Sequence, residues 1–341
     1  MTSVDHDPLR DRVAAGAGKP MSADAPSVSP DEVNIPMIRH WVDAFADHNP
    51  VYLDQELAAK TRFKTIVAPP AMMQTWTMGR PVIAGIAERG GAAAEIPADS
   101  PIGILIAAGY TGTLATNSEF EFDRYLRIGD RLHFSTELES ISEQKITAVG
   151  KGYFVTWINT YYDANKKSVG RQRFRIYKFD PQSIEPTAST TKKKTRKEPA
   201  KATGEELPPF VLEVTPTVVV AGAIASRDFM PVHHDRNYAI GQGAPNIFMN
   251  ILTTNGYVSR YITDWAGPEA MVRSIAIRLG APAVPGHPLS FSGQVISERA
   301  SAGERTVEVA VRAANDLGDH ATGTVAFSLP KACSRNSRPL V

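Results

Sequence analysis

Asp47-His-Asn-Pro-Val-Tyr-Leu-Asp54 and Asp228-Phe-Met-Pro-Val-His-His-Asp235 are the two stretches on which the fold turns. Aligned without a gap, they set Asp47 on Asp228, Pro50 on Pro231, Val51 on Val232 and Asp54 on Asp235. The same spacing carries Ala58 onto Ala239 and Ile66 onto Ile247. Farther along, Gly129, Leu132, Phe134, Ser135 and Ser140 fall on Gly286, Leu289, Phe291, Ser292 and Ser297. Two halves with one order of elements imply duplication of a folding unit. A period this long is a whole domain, not the short repeat of a solenoid.

Working outward, each half offers the same pieces. Asn34 can cap a helix with Pro36 in its first turn, and Ile38, Trp41, Val42 and Phe45 then follow at helical spacing. Strand-like runs rich in aromatic and β-branched residues come at Arg131–Leu138, Tyr153–Tyr161 and Arg171–Phe179. In the second half, helix-like residues lead to Asp228, and a long apolar-periodic stretch runs from Ile247 to Ile262. Strand runs follow at Leu289–Ile296, Thr306–Ala313 and Thr322–Leu329. A polar helical lead-in, one long central helix and several strands per half suit an α+β layer fold, a helix packed on a curved antiparallel sheet. Side by side, the two sheets can join and each loses an exposed edge.

Between the halves the composition changes abruptly. Residues 181–209 are rich in Ser, Thr and Pro, carry the basic run Thr191–Lys197 and have no apolar run, which predicts a tether. Residues 1–30, rich in Ala, Gly, Pro, Ser and Asp, read as a flexible tail. The expected units are therefore 31–180 and 210–330, with a short tail at 331–341.

The chain has 341 residues, 43% of them apolar and 21% charged, enough for two packed cores. No apolar stretch reaches the ~18 residues of a membrane span. The start of the chain lacks the basic-then-apolar pattern of a secretory signal, so a cytoplasmic protein is expected. A single cysteine, Cys333, excludes an internal disulfide framework and a cysteine-based zinc site. A net charge of +1 gives no reason to expect nucleic acid or an anionic membrane as partner.

One position separates the halves chemically. Asp228 is followed five residues later by His233 across Pro231-Val232, whereas Tyr52 stands at the corresponding place after Asp47. Taken alone, the pair reads first as a helix cap and a core histidine and only second as catalytic. The repeat and the intervening Pro-Val argue for the catalytic reading.

The pattern Asp-x-x-Pro-Val-His resembles the Asp-x-Asn-Pro-(apolar)-His motif of MaoC-like, R-specific enoyl-CoA hydratases. The first half keeps the Asn-Pro as Asn49-Pro50 but not the His; the second keeps Asp and His but has Met230 in place of Asn. The run from Ser226 to Gly267 is similar to the small catalytic subunit of the two-subunit hydratase of bacterial sterol side-chain degradation, and the first half to its partner subunit. The resemblance implies a double hot-dog fold with a catalytically degenerate N-terminal half, which would widen the acyl tunnel and help hold CoA. It implies hydration of a bulky, steroid side-chain enoyl-CoA to a β-hydroxyacyl-CoA, with no cofactor beyond the CoA of the substrate and no metal.

In the family, Asp and His share the catalytic water, which assigns Asp228 as base and His233 as the partner that orients it and delivers the proton. A free Asp is a weak base, so a dry pocket that raises Asp228 is expected. The resemblance places the oxyanion donors at Asn250 and Ile251, at the start of the central helix. It also implies a homodimer and a thiolase-like aldolase acting next, although no cysteine pairs remain for a zinc-ribbon docking extension. His234 reads as a surface decoy, Asp235 as a helix cap, Asp47 as structural, Tyr52 as packing, and Tyr110, Phe120, Phe122 and Tyr125 as core, with the lining of an acyl tunnel as their alternative. The rival functions are a 3-hydroxyacyl-thioester dehydratase of fatty-acid synthesis, a thioesterase, and a non-catalytic acyl-CoA-binding or scaffold subunit.

Overall fold

A computed structural model describes residues 6–21, 26–183, 204–301 and 303–331. The strands are β1 (Ser27–Val28), β2 (Gly112–Phe122), β3 (His133–Ile141), β4 (Lys145–Thr147), β5 (Gly150–Tyr162), β6 (Ser168–Asp180), β7 (Glu206–Leu212), β8 (Met271–Leu279), β9 (Leu289–Ala300), β10 (Glu304–Asn315) and β11 (Gly318–Pro330). The helices are α1 (Pro8–Ala14), α2 (Ile35–Phe45), α3 (Gln55–Lys60), α4 (Met73–Thr77), α5 (Pro101–Ala107), α6 (Pro216–Ala225), α7 (Arg236–Gly241) and α8 (Ile251–Ala266). All six strand runs read from the sequence lie within β3, β5, β6, β9, β10 and β11 or overlap them.

The strands form a single antiparallel sheet in the order β1-β3-β5-β6-β2-β8-β11-β10-β9-β7, with β4 added on β5. The order is a palindrome about the β2–β8 junction, where Asn117 faces Arg278 and Glu121 faces Ser274. Duplication explains it: equivalent strands sit at equal distances from the centre, and joining β2 to β8 removes one edge from each half.

The repeat holds down to single hydrogen bonds. Asp47 N–H donates to Val42 O as Asp228 N–H does to Ala223 O, each at 2.9 Å, after a left-handed residue at Ala46 and Arg227. Asn34 and Thr215 cap α2 and α6, and Asp54 and Asp235 cap α3 and α7. Gly129 N–H bonds Val33 O, and Gly286 N–H bonds Val214 O.

Three differences from the sequence reading matter for the site. The segment expected as a flexible tail holds α1, capped by Asp7 with Pro8 in its first turn, and β1, which pairs with β3. Buried Val13 packs this segment onto the first half, and Tyr153 OH donates to Asp7. β7 begins inside the expected tether; its Pro208-Pro209 is tolerated because β7 is an edge strand with a register shift there. Of the tether itself, residues 184–203, including the basic run, lie outside the described residues, as does Cys333.

Third, the central helices are unequal. α8 buries 13 of its residues from Ile251 to Ala266 and packs against β8, β11, β7 and β2. Its counterpart in the first half, α4, ends at Thr77. Gly79 and Pro81 fall where α8 continues with Arg260 and Ile262, and proline with its preceding residue ends a helix.

A buried polar cluster links the two central helices across β2. Gln172 accepts at Oε1 from Asn159 Nδ2 (2.9 Å) and Tyr161 OH (3.0 Å), and donates to Gln74 Oε1 (2.8 Å) and Ser118 Oγ (3.2 Å). Asn255 of α8 donates to the same Ser118 Oγ at 3.1 Å. Removing the hub leaves several buried groups without partners. A Gln172→Leu variant is expected to lose roughly 3–5 kcal/mol in urea denaturation; a loss below ~1 kcal/mol would mean that the cluster does not join the halves.

Candidate active site

The site grows from the end of α6. The chain leaves the helix through left-handed Arg227, so Asp228 is the first residue beyond a fixed turn. Asp228 Oδ1 accepts from Met230 N–H at 3.2 Å. Pro231–His233 then form a short 3-10 turn that returns His233 toward the carboxylate. His233 is buried, and its Nε2 lies 3.4 Å from Asp228 Oδ2. Its other ring nitrogen, Nδ1, is 2.7 Å from the carbonyl of Phe248. A carbonyl only accepts, so Nδ1 carries a hydrogen and the neutral ring leaves Nε2 as an acceptor facing Asp228.

Asn250 closes the arrangement from the other side. As the N-cap of α8 it accepts from Thr253 N–H at 2.7 Å. Its amide donates to Asp228 Oδ2 and to Ser226 Oγ, both at 2.9 Å. The segment before it is fixed by Phe248 N–H to Val232 O and by Met249 N–H to Ala283 O. The N–H groups of Ile251 and Leu252, first in the helix, have no acceptor within it and carry the partial positive charge of the helix start.

The structure thus brings Asp228, His233, Asn250 and Ile251 together. Sequence reasoning assigned Asn250 only a backbone role; its side chain is a direct partner of Asp228. It missed Ser226 and the Phe248 carbonyl, which no motif marks.

Asp228 also departs from expectation: it was expected raised and is instead held below the usual carboxylate range. Burial is the largest single influence and pushes it up, but the charge and hydrogen bond of the protonated His233 ring, the Asn250 amide and the Met230 N–H together outweigh it. Asp47, on the same turn of the first half, shows the contrary balance. Burial dominates there, opposed by the Asn49 N–H, and its carboxyl is pushed up to about 6.

The remaining sequence readings find these places. Tyr52 is buried in the core, and His234 is exposed. Phe120, Phe122 and Tyr125 are buried, while Tyr110 is partly exposed. Asn49 keeps its capping role, accepting from Val51 N–H, whereas Met230 caps nothing. Among the described residues no three His, Cys, Asp or Glu side chains cluster so as to hold a metal ion, and no helix is long and apolar enough to cross a membrane.

Residues 26–172 match the family described as "FAS1-like, dehydratase domain region". The chain is 48% identical over 126 residues to the 3-oxo-4,17-pregnadiene-20-carboxyl-CoA hydratase beta subunit of Mycobacterium tuberculosis, covering 37% of this chain and 95% of that protein. The chain belongs to the MaoC-like hydratase and dehydratase family. It is also 42% identical over 182 residues to the probable enoyl-CoA hydratase alpha subunit of Thermomonospora curvata, covering 53% of this chain and 55% of that one. The chain therefore spans about half the length of that relative. A solved MaoC-like dehydratase aligns over 91% of this chain and 99% of its own with a TM-score of 0.67 and 21% identity. The fold is the α+β double hot-dog that the MaoC-like resemblance implied.

Proposed function

We propose that this MaoC-like chain is an enoyl-CoA hydratase that adds water to the α,β double bond of a steroid-sized enoyl-CoA, giving a β-hydroxyacyl-CoA. The observation that carries the reading is the pair of acceptors, Asp228 Oδ2 and His233 Nε2, 3.4 Å apart beside the start of α8. A water molecule there donates one hydrogen to each and keeps its lone pairs for the β-carbon. As the C–O bond forms, His233 Nε2 takes the water proton, Asp228 stabilises the imidazolium, and the same proton passes to the α-carbon. The double-bond electrons move toward the thioester oxygen in between, where the Ile251 N–H offers a donor already in place.

This assignment differs from the expectation that Asp228 is the base. With its hydrogen held on Nδ1 by the Phe248 carbonyl, the ring offers Nε2 to take the proton, and the imidazolium so formed holds the Asp228 carboxyl low. The chemistry needs no group beyond water and the acyl-CoA.

The bulky acyl group is supported by two facts. α4 stops at Thr77 where α8 continues, so the first half has a shorter helix over its sheet. The beta-subunit relative is named for a pregnadiene carboxyl-CoA. By the same logic, the two halves correspond to the alpha- and beta-subunit relatives joined in one chain, and a polycyclic substrate unsaturated next to its ring would yield a tertiary alcohol. The outward residues Pro216, Thr217, Val220 and Ala221 of α6 offer a homodimer an apolar face to bury.

The test follows the loss of enoyl-thioester absorbance with a steroid side-chain enoyl-CoA, crotonyl-CoA and an enoyl carrier-protein thioester. Turnover fastest with the steroid substrate supports the proposal. Preference for the carrier protein would favour the dehydratase reading instead. Tight binding of all three without turnover would leave a non-catalytic acyl-CoA-binding subunit.

A further inference from the structure

Where α4 ends, the first half continues into a loop that packs on the other half. Residues 79–93 fold into a compact loop whose neck is closed by Val82 N–H to Ala93 O at 2.8 Å. The Arg89 guanidinium fills its middle, donating to the carbonyls of Ala84 (2.8 Å), Ala92 (3.3 Å) and Val82. Gly91 N–H bonds Ile86 O at 2.8 Å and completes the turn.

The loop rests on the segment that carries the dyad. Arg227, the residue before Asp228, reaches Gly79 O at 3.4 Å, and Tyr238 OH reaches Ala87 O at 3.4 Å. Between these two contacts Gly91 presses directly on Met230: a Cβ on Gly91 would stand 2.4 Å from Met230 Cγ and 3.2 Å from its Cβ. Gly91 also has φ +88°, a region that favours glycine, so both its conformation and its contact exclude a side chain.

Met230 sits two residues from Asp228 and binds its carboxylate through the backbone N–H. In the first half the same position is Asn49, whose side chain caps the next turn; Met230 has given up that cap and packs against the loop. Methionine is unbranched and polarizable and moulds to irregular apolar shapes.

We propose that Met230, backed by the loop at residues 79–93, is the specificity-determining wall of the acyl site: the half without a dyad supplies one side of the working site and sets which acyl groups reach Asp228. The proposal rests on the hydratase reading above. A bulky acyl group at the reacting carbon must share its space with the Met230 side chain, whereas a four-carbon group need not. The loop fixes that side chain from behind.

The experiment measures, for the full chain, the ratio of kcat/KM for a steroid side-chain enoyl-CoA to that for crotonyl-CoA. Gly91→Ala displaces Met230 and is expected to lower the ratio at least tenfold with the circular dichroism spectrum unchanged. Met230→Ala alone leaves the loop in place and removes the wall itself, and is expected to change the ratio at least fivefold through the steroid substrate, with kcat/KM for crotonyl-CoA nearly unchanged. Arg89→Gln loosens the loop without touching Met230 and should raise KM for the steroid substrate more than for crotonyl-CoA, which keeps the test open if Gly91→Ala fails to fold. An unchanged ratio in folded Gly91→Ala, or in Met230→Ala, overturns the wall. Absence of hydration by the wild-type chain defeats the hydratase reading instead, so the two failures are distinct.

Discussion

Asp228→Asn is expected to lower kcat for enoyl-CoA hydration by about 10³–10⁴-fold while leaving the protein folded and able to bind acyl-CoA. The size follows from the geometry, not from loss of a charge alone. The Phe248 carbonyl holds the hydrogen of His233 on Nδ1, so Nε2 is available only as an acceptor. In the native site the group opposite Nε2 is an acceptor-only carboxylate, and both therefore face a donor such as water. The amide of the variant can turn its NH₂ toward Nε2 at nearly the same distance. That hydrogen bond occupies the base and leaves water no second acceptor, and the imidazolium loses its counter-charge. Asn250, which now donates to Asp228 Oδ2, would meet either an NH₂ or a weaker acceptor. Enoyl-thioester absorbance gives the rate, and binding of the same acyl-CoA gives the control. A loss under tenfold would place the proton transfer elsewhere; a loss of binding equal to the loss of rate would make Asp228 a substrate-binding group.

Much of this was legible in the residues because it depends on local pattern. The paired Asp-x-x-Pro-Val stretches gave the duplication, and Ile38, Trp41, Val42 and Phe45 all proved to be buried along α2. The substitution of Tyr52 for His233 separated a half without an Asp–His pair from the half that has one. What stayed hidden depends on tertiary context. β2 was not anticipated because its sequence mixes Thr, Asn, Ser and Glu with few apolar residues; these fit only because β8 and β6 flank it and Ser118 is bonded by Gln172 and Asn255. β8 escaped as well, although Val272, Ile275 and Ile277 are buried. The short α4 had a visible cause in Gly79 and Pro81, but its meaning appears only beside α8. The shift of Asp228 could not be read at all, since burial is suggested by composition while the Met230 N–H, the Asn250 amide and the protonated His233 ring that outweigh it are brought together by folding.

The half without the Asp–His pair makes the second large prediction. Asp47→Asn is expected to stabilise the protein at pH 7 by up to about 3 kcal/mol, to have almost no effect at pH 4, and to leave hydration unchanged. Asp47 is buried on the turn equivalent to that of Asp228, with Asn49 N–H on its Oδ1 at 3.1 Å, but no imidazole stands opposite. Arg260 draws it down less than burial and Asp264 push it up, and its carboxyl lies at about 6 against an ordinary 3.8. The sign is that of a group holding its proton more tightly when folded: its contribution is fully present below pH ~3.8 and is lost as pH rises through about 6. A gap of this size is worth roughly 3 kcal/mol, an upper bound because structure relaxes around a buried charge. An amide offers the same acceptor oxygen to Asn49 without ever becoming charged, so the variant should lack the decline. Urea denaturation of wild type and variant at pH 4, 5, 6 and 7 gives the difference at each pH. A constant difference would mean that Asp47 does not titrate in this range. A fall in hydration at pH 7 would show Asp47 still at work in catalysis, and the first half could no longer be regarded as spent.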